Sequence, residues 1–397
     1  MARSEITPLP YNEETVLEIS DGIVLKELSL LRKINIVITP TLLTFDVPVP
    51  ADKITLQKLG LASDGWRLVS SIDGWQHQEL RGVEAFLAGF RRVLERDLYS
   101  FIQEQEGLLR LGGSVFTTLR VLLELQPEIK KGICFVPVGK ADEMGNEVGE
   151  LMRRVNQKRQ ELMARLGTQL NNRLLIEETL CSGLTPICIS FYEPGGRSMV
   201  MIRDEQEINI PDQAITGLQG PNLLLVDTRE LIQPSYMGAA LQLAARPNVF
   251  TVIGLGAGSI LPEAVNEIKT LQRKTQGEMA FSGNKGEIEV LLGGWDGASE
   301  PRELVRKANL RFILETKGQK GAVLYLRLGN TVYVAEHRLA QEEIFNGDTT
   351  NAGDAFLAVV LAGLMKLPCQ EEGIETQLLK VLQEASRKTL GFLRARA

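Results

Sequence analysis

The chain has 397 residues, enough for one large α/β domain or two ordinary ones, and its 44% hydrophobic and 24% charged composition is typical of a globular protein with a sizeable core. The net charge of −6 provides no basic field that would gather nucleic acid. Four cysteines without a CxxC pair and two histidines argue against a disulfide framework or a zinc site. The N-terminus has no apolar signal segment, and no run approaches the roughly 18 apolar residues of a membrane span. We therefore expect a cytoplasmic protein, and its size and glycine-rich turns favour an enzyme.

The first 110 residues give the weakest pattern. KINIVIT (33–39) predicts a strand, but three prolines interrupt the TPTLLTFDVPVPAD that follows it. Apolar residues at helical spacing between Phe86 and Phe101 then predict a helix. From Gly112 onward the pattern is regular. GGSVFTTLRVLLEL indicates a glycine turn that enters a helix, and GICFVPVG indicates a buried strand.

The middle of the chain predicts a long helix and then alternating strands and helices. The helix, EMGNEVGELMRRVNQKRQELMARL, is expected to have a solvated basic face formed by Arg153, Arg154, Lys158 and Arg159. PICISFYEPGGRSMVMI consists of two extended runs joined by Pro-Gly-Gly, which predicts a β-hairpin. The apolar runs NLLLVD, NVFTVIGLG and GEMAFSG alternate with helix-like stretches, which predicts βαβ units and a parallel sheet.

Near the C-terminus, RFILETKGQKGAVLYLRLGNTVYVAE predicts three strands joined by two glycine turns. Thr316, Gly318 and Gly321 lie in the first of these turns. Such a turn can lie against a nucleotide, although most glycines of this kind serve only the turn. GLGAGS (254–259) lacks the GxGxxG spacing of a dinucleotide site, and the chain has no Walker A sequence.

The stretch IFNGDTTNAGDAFLAVV (344–360) places Asp354 where a buried helix begins. A helix N-terminus has free backbone N–H groups and a positive dipole end, and the small residues Ala352 and Gly353 would let an anion approach them. An anion cradle with a carboxylate beside it suits phosphoryl transfer, in which the carboxylate takes a proton from the attacking hydroxyl. The alternative is that Asp354 is only a helix cap.

A second polar pair lies in SGNKGEIEVLLGG, directly after a predicted strand. Asn284 and Glu287 are three residues apart, so both can face one side of an opening helical turn. Such oxygen donors can hold water around Mg²⁺, which usually keeps several waters and binds few carboxylates. The alternative is a capping arrangement with a glutamate in the first turn.

Taken in order from about Gly112 to the C-terminus, these motifs resemble those of the ribokinase (PfkB) family of sugar and nucleoside kinases. DTTNAGD (348–354) resembles the family's D-T-x-G-A-G-D, NKGE (284–287) its N-x-x-E, and TKGQKG (316–321) its T-x-G-x-x-G nucleotide turn. EPGGRS resembles the hairpin that ends in G-x-R, Gly112-Gly113 the glycine pair that leads a helix, and VGKADEMG the V-G-x-D-x-x-G stretch.

The resemblance implies an α/β fold, namely a ribokinase-like three-layer α/β/α sandwich with a mainly parallel central sheet and a small β lid. A single kinase domain would span residues 1–397, with about 183–203 as the candidate lid hairpin. The implied activity is ATP-dependent phosphorylation of an alcohol with Mg²⁺. The implied partner is a small-molecule alcohol substrate, with a homodimer as the candidate assembly. From the charge and hydropathy we expect no nucleic-acid and no membrane partner.

The resemblance also implies a role for each matched residue. Asp354 would be the catalytic base, and Asn351, Ala352 and Gly353 would form the anion hole. Thr316, Gly318 and Gly321 would bind the nucleotide, and Gly112, Gly113 and Thr117 the substrate. Asn284 and Glu287 would serve Mg²⁺, partly through water, and Asp348 would contribute to a monovalent-cation site for an ion such as K⁺.

Three departures from the family pattern concern the substrate. Thr117 stands where the family places a substrate-binding Asn, and no short N-terminal strand that ends in the usual substrate-binding Asp is recognisable. Residues 1–110 form an atypically long N-terminal portion. Asn351 replaces a Gly, which is a milder change because Asn tolerates left-handed backbone geometry. We expect a sugar or sugar-like substrate; the alternatives are a nucleoside kinase, or a kinase-derived ligand-binding or regulatory protein with little turnover.

Overall fold

The computed structural model describes residues 28–41, 43–61, 66–69, 80–104, 109–140, 146–181, 183–193, 196–203, 208, 210–211, 218, 220–246, 248–256, 261–275, 278–295, 297–345, 351–367 and 373–395. Within these ranges the helices are α1 (Ser29–Arg32), α2 (Lys53–Lys58), α3 (Leu80–Leu94), α4 (Leu98–Glu104), α5 (Ser114–Leu125), α6 (Asn146–Gln169), α7 (Thr228–Leu231), α8 (Pro234–Ala244), α9 (Leu261–Thr275), α10 (Lys285–Gly293), α11 (Pro301–Lys307), α12 (Ala352–Met365) and α13 (Ile374–Arg394). The strands are β1 (Ile36–Pro40), β2 (Thr44–Pro50), β3 (Trp66–Val69), β4 (Arg110–Gly112), β5 (Lys131–Gly139), β6 (Leu174–Cys181), β7 (Ile187–Glu193), β8 (Gly196–Ile202), β9 (Asn222–Asp227), β10 (Val249–Gly254), β11 (Met279–Asn284), β12 (Phe312–Thr316), β13 (Ala322–Leu328) and β14 (Thr331–His337).

The chain divides into two compact units. The first unit comprises Met1–Pro40, Ser114–Cys134 and Ile210–Ala397, and the second comprises Thr41–Gly113 and Phe135–Asn209. Of the helices in the described ranges, none is both long and apolar enough to span a membrane.

The first unit is built on a mainly parallel sheet with the strand order β14-β13-β12-β11-β10-β9-β1. Strands β1, β9, β10, β11 and β12 pair in parallel, whereas β12, β13 and β14 pair antiparallel. All six residues of β9 are buried, as expected for a parallel strand covered on both faces. The parallel sheet predicted from alternating apolar runs is therefore confirmed, and so are the three strands predicted after Arg311.

Helix α12 follows the predicted signature and is buried nearly all round, as its sequence predicted. It packs against α5 and α13. A Cβ at Gly363 would lie 2.7 Å from Val381 Cγ1, so the glycine permits the close approach of α13. Gln126 Nε2 donates a hydrogen bond to the carbonyl of Ala362 at 2.9 Å. These contacts fix the helix whose N-terminus carries Asp354.

The second unit contains a five-stranded sheet with the order β3-β8-β7-β2-β4. The predicted hairpin is present as the antiparallel pair β7 and β8, whereas its role as a lid remains a prediction. The predicted helical pattern between Phe86 and Phe101 is divided into α3 and α4. Phe90 lies at the centre of the core, with ring centroids 6.1 Å from Phe86 and Phe101 and 6.4 Å from Phe191.

The long predicted helix is confirmed as α6, but its basic face is only partly solvated. Arg153 is exposed and Arg154 is half-buried, and both pair with Glu150. Arg159 is completely buried and pairs with Glu178 on β6, so its prediction as a solvated residue is wrong. A paired, buried arginine cannot be distinguished from a surface one by its position in a charged run.

The N-terminal portion supplies essential parts of the fold from residue 28 onward. Its strand β1 lies beside β9 in the parallel sheet, and β2, β3 and β4 complete the sheet of the second unit. The assignment of residues 1–397 to a single domain remains a prediction.

Candidate active site

The carboxyl ends of four neighbouring strands lie at one edge of the parallel sheet. Gly254, at the end of β10, lies opposite Asp227 of β9 on one side and Ser282 of β11 on the other. Asn284, at the end of β11, lies opposite Thr316 of β12. In open α/β sheets this edge is where ligands bind.

The N-terminus of α12 has the geometry that an anion site requires. Asn351 is the N-cap residue, with φ 61° and ψ 16°, which confirms that Asn accommodates left-handed geometry here. The helix begins at Ala352, so Asp354 is its third residue and not its N-cap. Gly353 is exposed, and a Cβ at this position would meet nothing within 4 Å. No side chain therefore covers Gly353 in the first turn of α12, where backbone N–H groups have no partner within the helix.

Two hydroxyl groups of α5 hold Asp354. Ser114 Oγ donates a hydrogen bond to Asp354 Oδ1, and Thr118 Oγ1 donates to the Asp354 carbonyl at 3.2 Å. Thr117, which the resemblance assigns to the substrate, is only 2% exposed, so its substrate role remains a prediction. The sequence reasoning missed Ser114. Its position directly after the glycine pair, at the first residue of a helix, was the available signal.

Asn284 and Glu287 form the capping arrangement that was the alternative to a metal role. Asn284 Oδ1 accepts from the Glu287 backbone N–H at 3.0 Å, and Glu287 Oε2 accepts from the Asn284 N–H at 2.8 Å. Burial raises the pKa of Glu287 to about 7. The Asn284 N–H acts against this rise, the negative charges of Asp227 and Asp354 add to it, and Arg229 lowers it again. Burial, together with the nearby negative charges, therefore disfavours the ionised form of Glu287.

These residues fit a hydrated Mg²⁺ rather than a metal held by protein alone. No cluster of three His, Cys, Asp or Glu side chains suited to a metal ion occurs among the described residues. Mg²⁺ typically keeps several waters and uses one or two carboxylates together with substrate phosphates. The capping bond engages Oε2 of Glu287, and a nearby cation would favour the ionised form of this carboxyl group. The predicted monovalent-cation residue Asp348 lies outside the described residues.

The predicted nucleotide turn forms a short 3₁₀ turn, Gly318–Lys320, between β12 and β13. Gly318 has φ +56°, and Gly321 has φ +100°. A Cβ at Gly321 would lie 1.9 Å from the carbonyl oxygen of His337, so no other residue fits there.

Beside this turn lies a cavity of about 790 Å³. Its lining includes Asn284, Thr316 and Gly318. The structure therefore brings these three predicted site residues together around one cavity. The charged lining residues are Lys285, Lys317, Lys320, Arg338, Glu315 and Glu336. The excess of cations over carboxylates suits an anionic ligand such as a polyphosphate.

The second unit contains an aspartate that the sequence reasoning also missed. A Cβ at Gly112 would lie 2.0 Å from Asp46 Oδ2, so the Gly112 position must be a glycine for the carboxylate to lie there. Thr44 Oγ1 donates to Asp46 Oδ1 at 2.7 Å. Gly113, the second residue of the pair, has φ +106°. Asp46 lies in β2, whose prolines obscured the strand pattern of TFDVPVP.

No protein-family model and no curated protein matches the sequence. The structure is similar to an adenosine kinase of Anopheles gambiae, with a TM-score of 0.57 and 17% identity over 89% of this chain and 94% of that one. It is similar to an adenosine kinase of Schistosoma mansoni, with a TM-score of 0.59 and 14% identity over 90% and 95% of the two chains. A probable sugar kinase of Rhizobium etli matches with a TM-score of 0.55 and 16% identity over 89% and 99%.

The chain therefore has the α/β fold of the ribokinase (PfkB) kinases, to which these neighbours belong. The resemblance inferred from the sequence motifs is confirmed at the level of the fold. Each neighbour is less than one-fifth identical to this chain, so the roles of individual residues rest on the geometry of this structure.

The raised pKa of Glu287 predicts a specific pH dependence of stability in Mg²⁺-free solution. A carboxyl group with a raised pKa contributes its full stability below its ordinary value of 4.5 and loses it as the pH rises through about 7. Glu287→Gln cannot ionise but keeps an oxygen for the Asn284 N–H. At pH 8 we expect the free energy of unfolding of this variant to exceed that of the wild type by about 1–3 kcal/mol, with no difference near pH 4.5.

Denaturant titrations between pH 4.5 and 8 in the presence of EDTA measure this difference. Glu289→Gln is the matched control, because Glu289 is on the same helix but is 63% exposed and pairs only at the surface with Lys285. Parallel pH profiles for Glu287→Gln and the wild type would show that the pKa of Glu287 is not raised.

Proposed function

We propose that this protein is an ATP-dependent kinase that transfers the γ-phosphoryl group to a hydroxyl of a small-molecule alcohol. The observation that carries the proposal is the position of Asp354, whose carboxylate lies at the open N-terminus of α12 and already accepts a hydrogen bond from a hydroxyl, that of Ser114. The same edge of the sheet carries Asn284 and the cation-rich cavity beside Thr316. The fold shared with adenosine and sugar kinases supports this reading.

In the proposed reaction the acceptor hydroxyl oxygen attacks the γ-phosphorus, the bond to the β,γ-bridging oxygen breaks, and ADP leaves. Asp354 takes the proton of the attacking hydroxyl while the new bond forms between the hydroxyl oxygen and the γ-phosphorus. The N–H groups at the start of α12, next to Asn351, Ala352 and Gly353, hold the negative charge on the transferring group. Ser114 fixes the rotamer of Asp354, so the base is positioned before the acceptor binds.

Asn284 and Glu287 would hold Mg²⁺ through water, and Thr316, Gly318 and Gly321 would lie along the nucleotide. When bound, ATP supplies the electrophilic phosphorus, and Mg²⁺ neutralises part of its phosphate charge. The amide cradle of α12 requires small residues, which Ala352 and Gly353 provide. A monovalent cation such as K⁺ at Asp348 and a cytoplasmic location complete the proposal.

For the acceptor we propose a sugar, a sugar-like alcohol or a nucleoside. Asp46 is the candidate for the substrate-binding Asp of the ribokinase family, since its carboxylate lies against the first residue of the Gly112-Gly113 pair. Thr117 provides one hydroxyl where an Asn would provide both a donor and an acceptor. The adenosine kinases among the structural neighbours favour a nucleoside as strongly as the probable sugar kinase favours a sugar.

The first prediction under this proposal concerns acceptor choice. A panel of sugars, sugar alcohols and nucleosides, with Mg²⁺ and ATP, should include a phosphoryl acceptor, whereas free ribose and fructose should be poor substrates because of Thr117. Formation of ADP coupled to the acceptor measures turnover. Efficient use of ribose or fructose at micromolar KM would show that the pocket has been misinterpreted. Nucleotide binding without any acceptor would instead favour a ligand-binding or regulatory protein.

A second prediction tests the base. Asp354→Asn keeps the shape of the side chain but cannot accept the acceptor's proton, so kcat should fall by about 10²–10⁴-fold. ATP affinity should stay within a few-fold, because the backbone N–H groups of α12 remain. Steady-state kinetics, a melting curve and nucleotide titration on the same sample separate these effects.

The matched control for this variant is Asp52→Asn. Asp52 is the N-cap of α2, accepts from the Thr55 N–H at 2.7 Å and is exposed. Since Asn caps a helix as well as Asp, this control should keep both activity and stability. Full activity of Asp354→Asn would exclude Asp354 as the base.

A third prediction tests the anion hole with a pair of glycines. Gly353 and Gly391 both lie in helices, and a Cβ at either would meet nothing within 4 Å. Each Gly→Ala change should stabilise the protein by about 0.5–1 kcal/mol through helix propensity. Gly353→Ala should also lower kcat at least tenfold, because its methyl group occupies the space of the transferring group. Equal activity of the two variants would place the phosphoryl group elsewhere.

A further inference from the structure

Beside the proposed site, an arginine is held in a fixed orientation by a buried aspartate. Asp227, at the carboxyl end of β9, is 1% exposed. Its Oδ1 accepts from Arg229 Nε at 2.9 Å and from the Arg229 backbone N–H at 2.8 Å, and its Oδ2 accepts from Arg229 Nη2 at 2.8 Å. The two side-chain bonds form a bidentate pair that fixes one edge of the guanidinium group. A quarter of the Arg229 side chain remains exposed.

Two glycines at and just after the end of the neighbouring strand β10 leave space for this pair. A Cβ at Gly256 would lie 2.7 Å from Asp227 Oδ1 and 3.0 Å from Arg229 Nε, closer than real Cβ atoms tolerate in the first case. A Cβ at Gly254 would lie 3.9 Å from both Asp227 Oδ2 and Ser114 Oγ. Ser114 in turn donates to Asp354. Gly254 therefore lies close to both the Asp227 carboxylate and the Ser114 hydroxyl that binds the proposed base.

The charges around Arg229 are consistent with a position near the proposed base. The pKa of Arg229 is raised, first by Asp227 and then also by Glu230 and Asp354, while burial acts against the rise. Arg229 also lowers the pKa of Glu287. The guanidinium thus acts on both the proposed base and the proposed Mg²⁺ residue, although it is hydrogen-bonded to neither among the described contacts.

We propose that Arg229 is a phosphate-binding residue whose guanidinium contacts the phosphoryl group that is transferred. The inference rests on the proposed kinase function and adds to it the side chain that carries the cationic charge. A guanidinium offers five N–H donors, and the pair with Asp227 uses two of them, so donors remain for phosphate oxygens. Arg is well suited to such a contact because its planar fork stays charged at all relevant pH values.

The competing explanation is that Arg229 only neutralises Asp227. The two explanations predict different phosphate affinities for a variant in which both charges are removed together. If Arg229 serves only Asp227, Asp227→Asn with Arg229→Gln leaves the net charge of the site unchanged and should not affect phosphate binding. If Arg229 contacts phosphate, the double variant loses the contact as fully as the single variant.

The experiment uses the full chain and inorganic phosphate as the probe, at constant ionic strength, with affinity measured by calorimetric titration. We expect the wild type to bind phosphate, and both Arg229→Gln and the double variant to bind it about 10- to 100-fold more weakly, the loss of one charge-assisted contact. Arg273→Gln is the control, because Arg273 lies on α9 and its described hydrogen bonds are exposed and within its own helix. The phosphate affinity of this control should stay within twofold of that of the wild type. The double variant also remains informative if the single variant, with Asp227 left buried and unpaired, fails to fold.

The role of Arg229 would be refuted if the double variant bound phosphate as tightly as the wild type. It would also be refuted if the wild type bound no phosphate. Turnover with the acceptor from the panel provides a second measurement, in which the double variant should lower kcat more than it raises the KM for ATP. A wild type that binds phosphate through Arg229 but phosphorylates no acceptor would refute the proposed kinase function while leaving the phosphate site intact.

Discussion

Negative charge concentrated at the carboxyl edge of the parallel sheet is the constraint on which the site depends. Asp227, Glu287 and Asp354 affect one another or the same arginine electrostatically at this edge. Burying like charges is costly unless cations or hydrogen bonds compensate them. The protein compensates Asp227 with Arg229 and part of the charge of Asp354 with the Ser114 hydroxyl. In the proposed function, a hydrated Mg²⁺ would balance negative charge at this edge.

The fold was largely predictable because its signals are local. Apolar runs such as NLLLVD identify strands that are buried on both faces, and the periodicity after Asp354 identifies α12 as a buried helix. Asn351 was informative for the same reason, because it tolerates the left-handed geometry that begins α12. Gly321 differs, because the carbonyl oxygen of His337 on another strand requires a glycine there.

The residues that sequence reasoning missed depend on contacts between distant segments. Ser114 and Asp354 are 240 positions apart, and Asp46 is recognisable only from its approach to Gly112. Arg229 lies in a four-residue helix without periodicity, and its orientation depends on Asp227 and on Gly256, two residues after the end of β10. Arg159 lies in a charged run like its neighbours, yet only the fold brings it to Glu178. The sequence shows which residues carry a charge or a hydroxyl group. It does not show which other residues these groups contact in the fold.

In NKGE and at the start of α12, the capping hydrogen bonds do not exclude the proposed catalytic roles. In NKGE the cap uses Asn284 Oδ1 and Glu287 Oε2, so the box orients the same carboxyl group that would serve a hydrated cation. At α12 the N-cap is Asn351, which leaves the carboxylate of Asp354 to a hydroxyl from another helix. Ser114 donates to Oδ1 of this carboxylate, so the hydrogen bond holds the side chain from the α5 side. The local helix chemistry thus places these side chains, and the contact between α5 and α12 orients Asp354, which is the pre-organisation that the proposed general-base role would need.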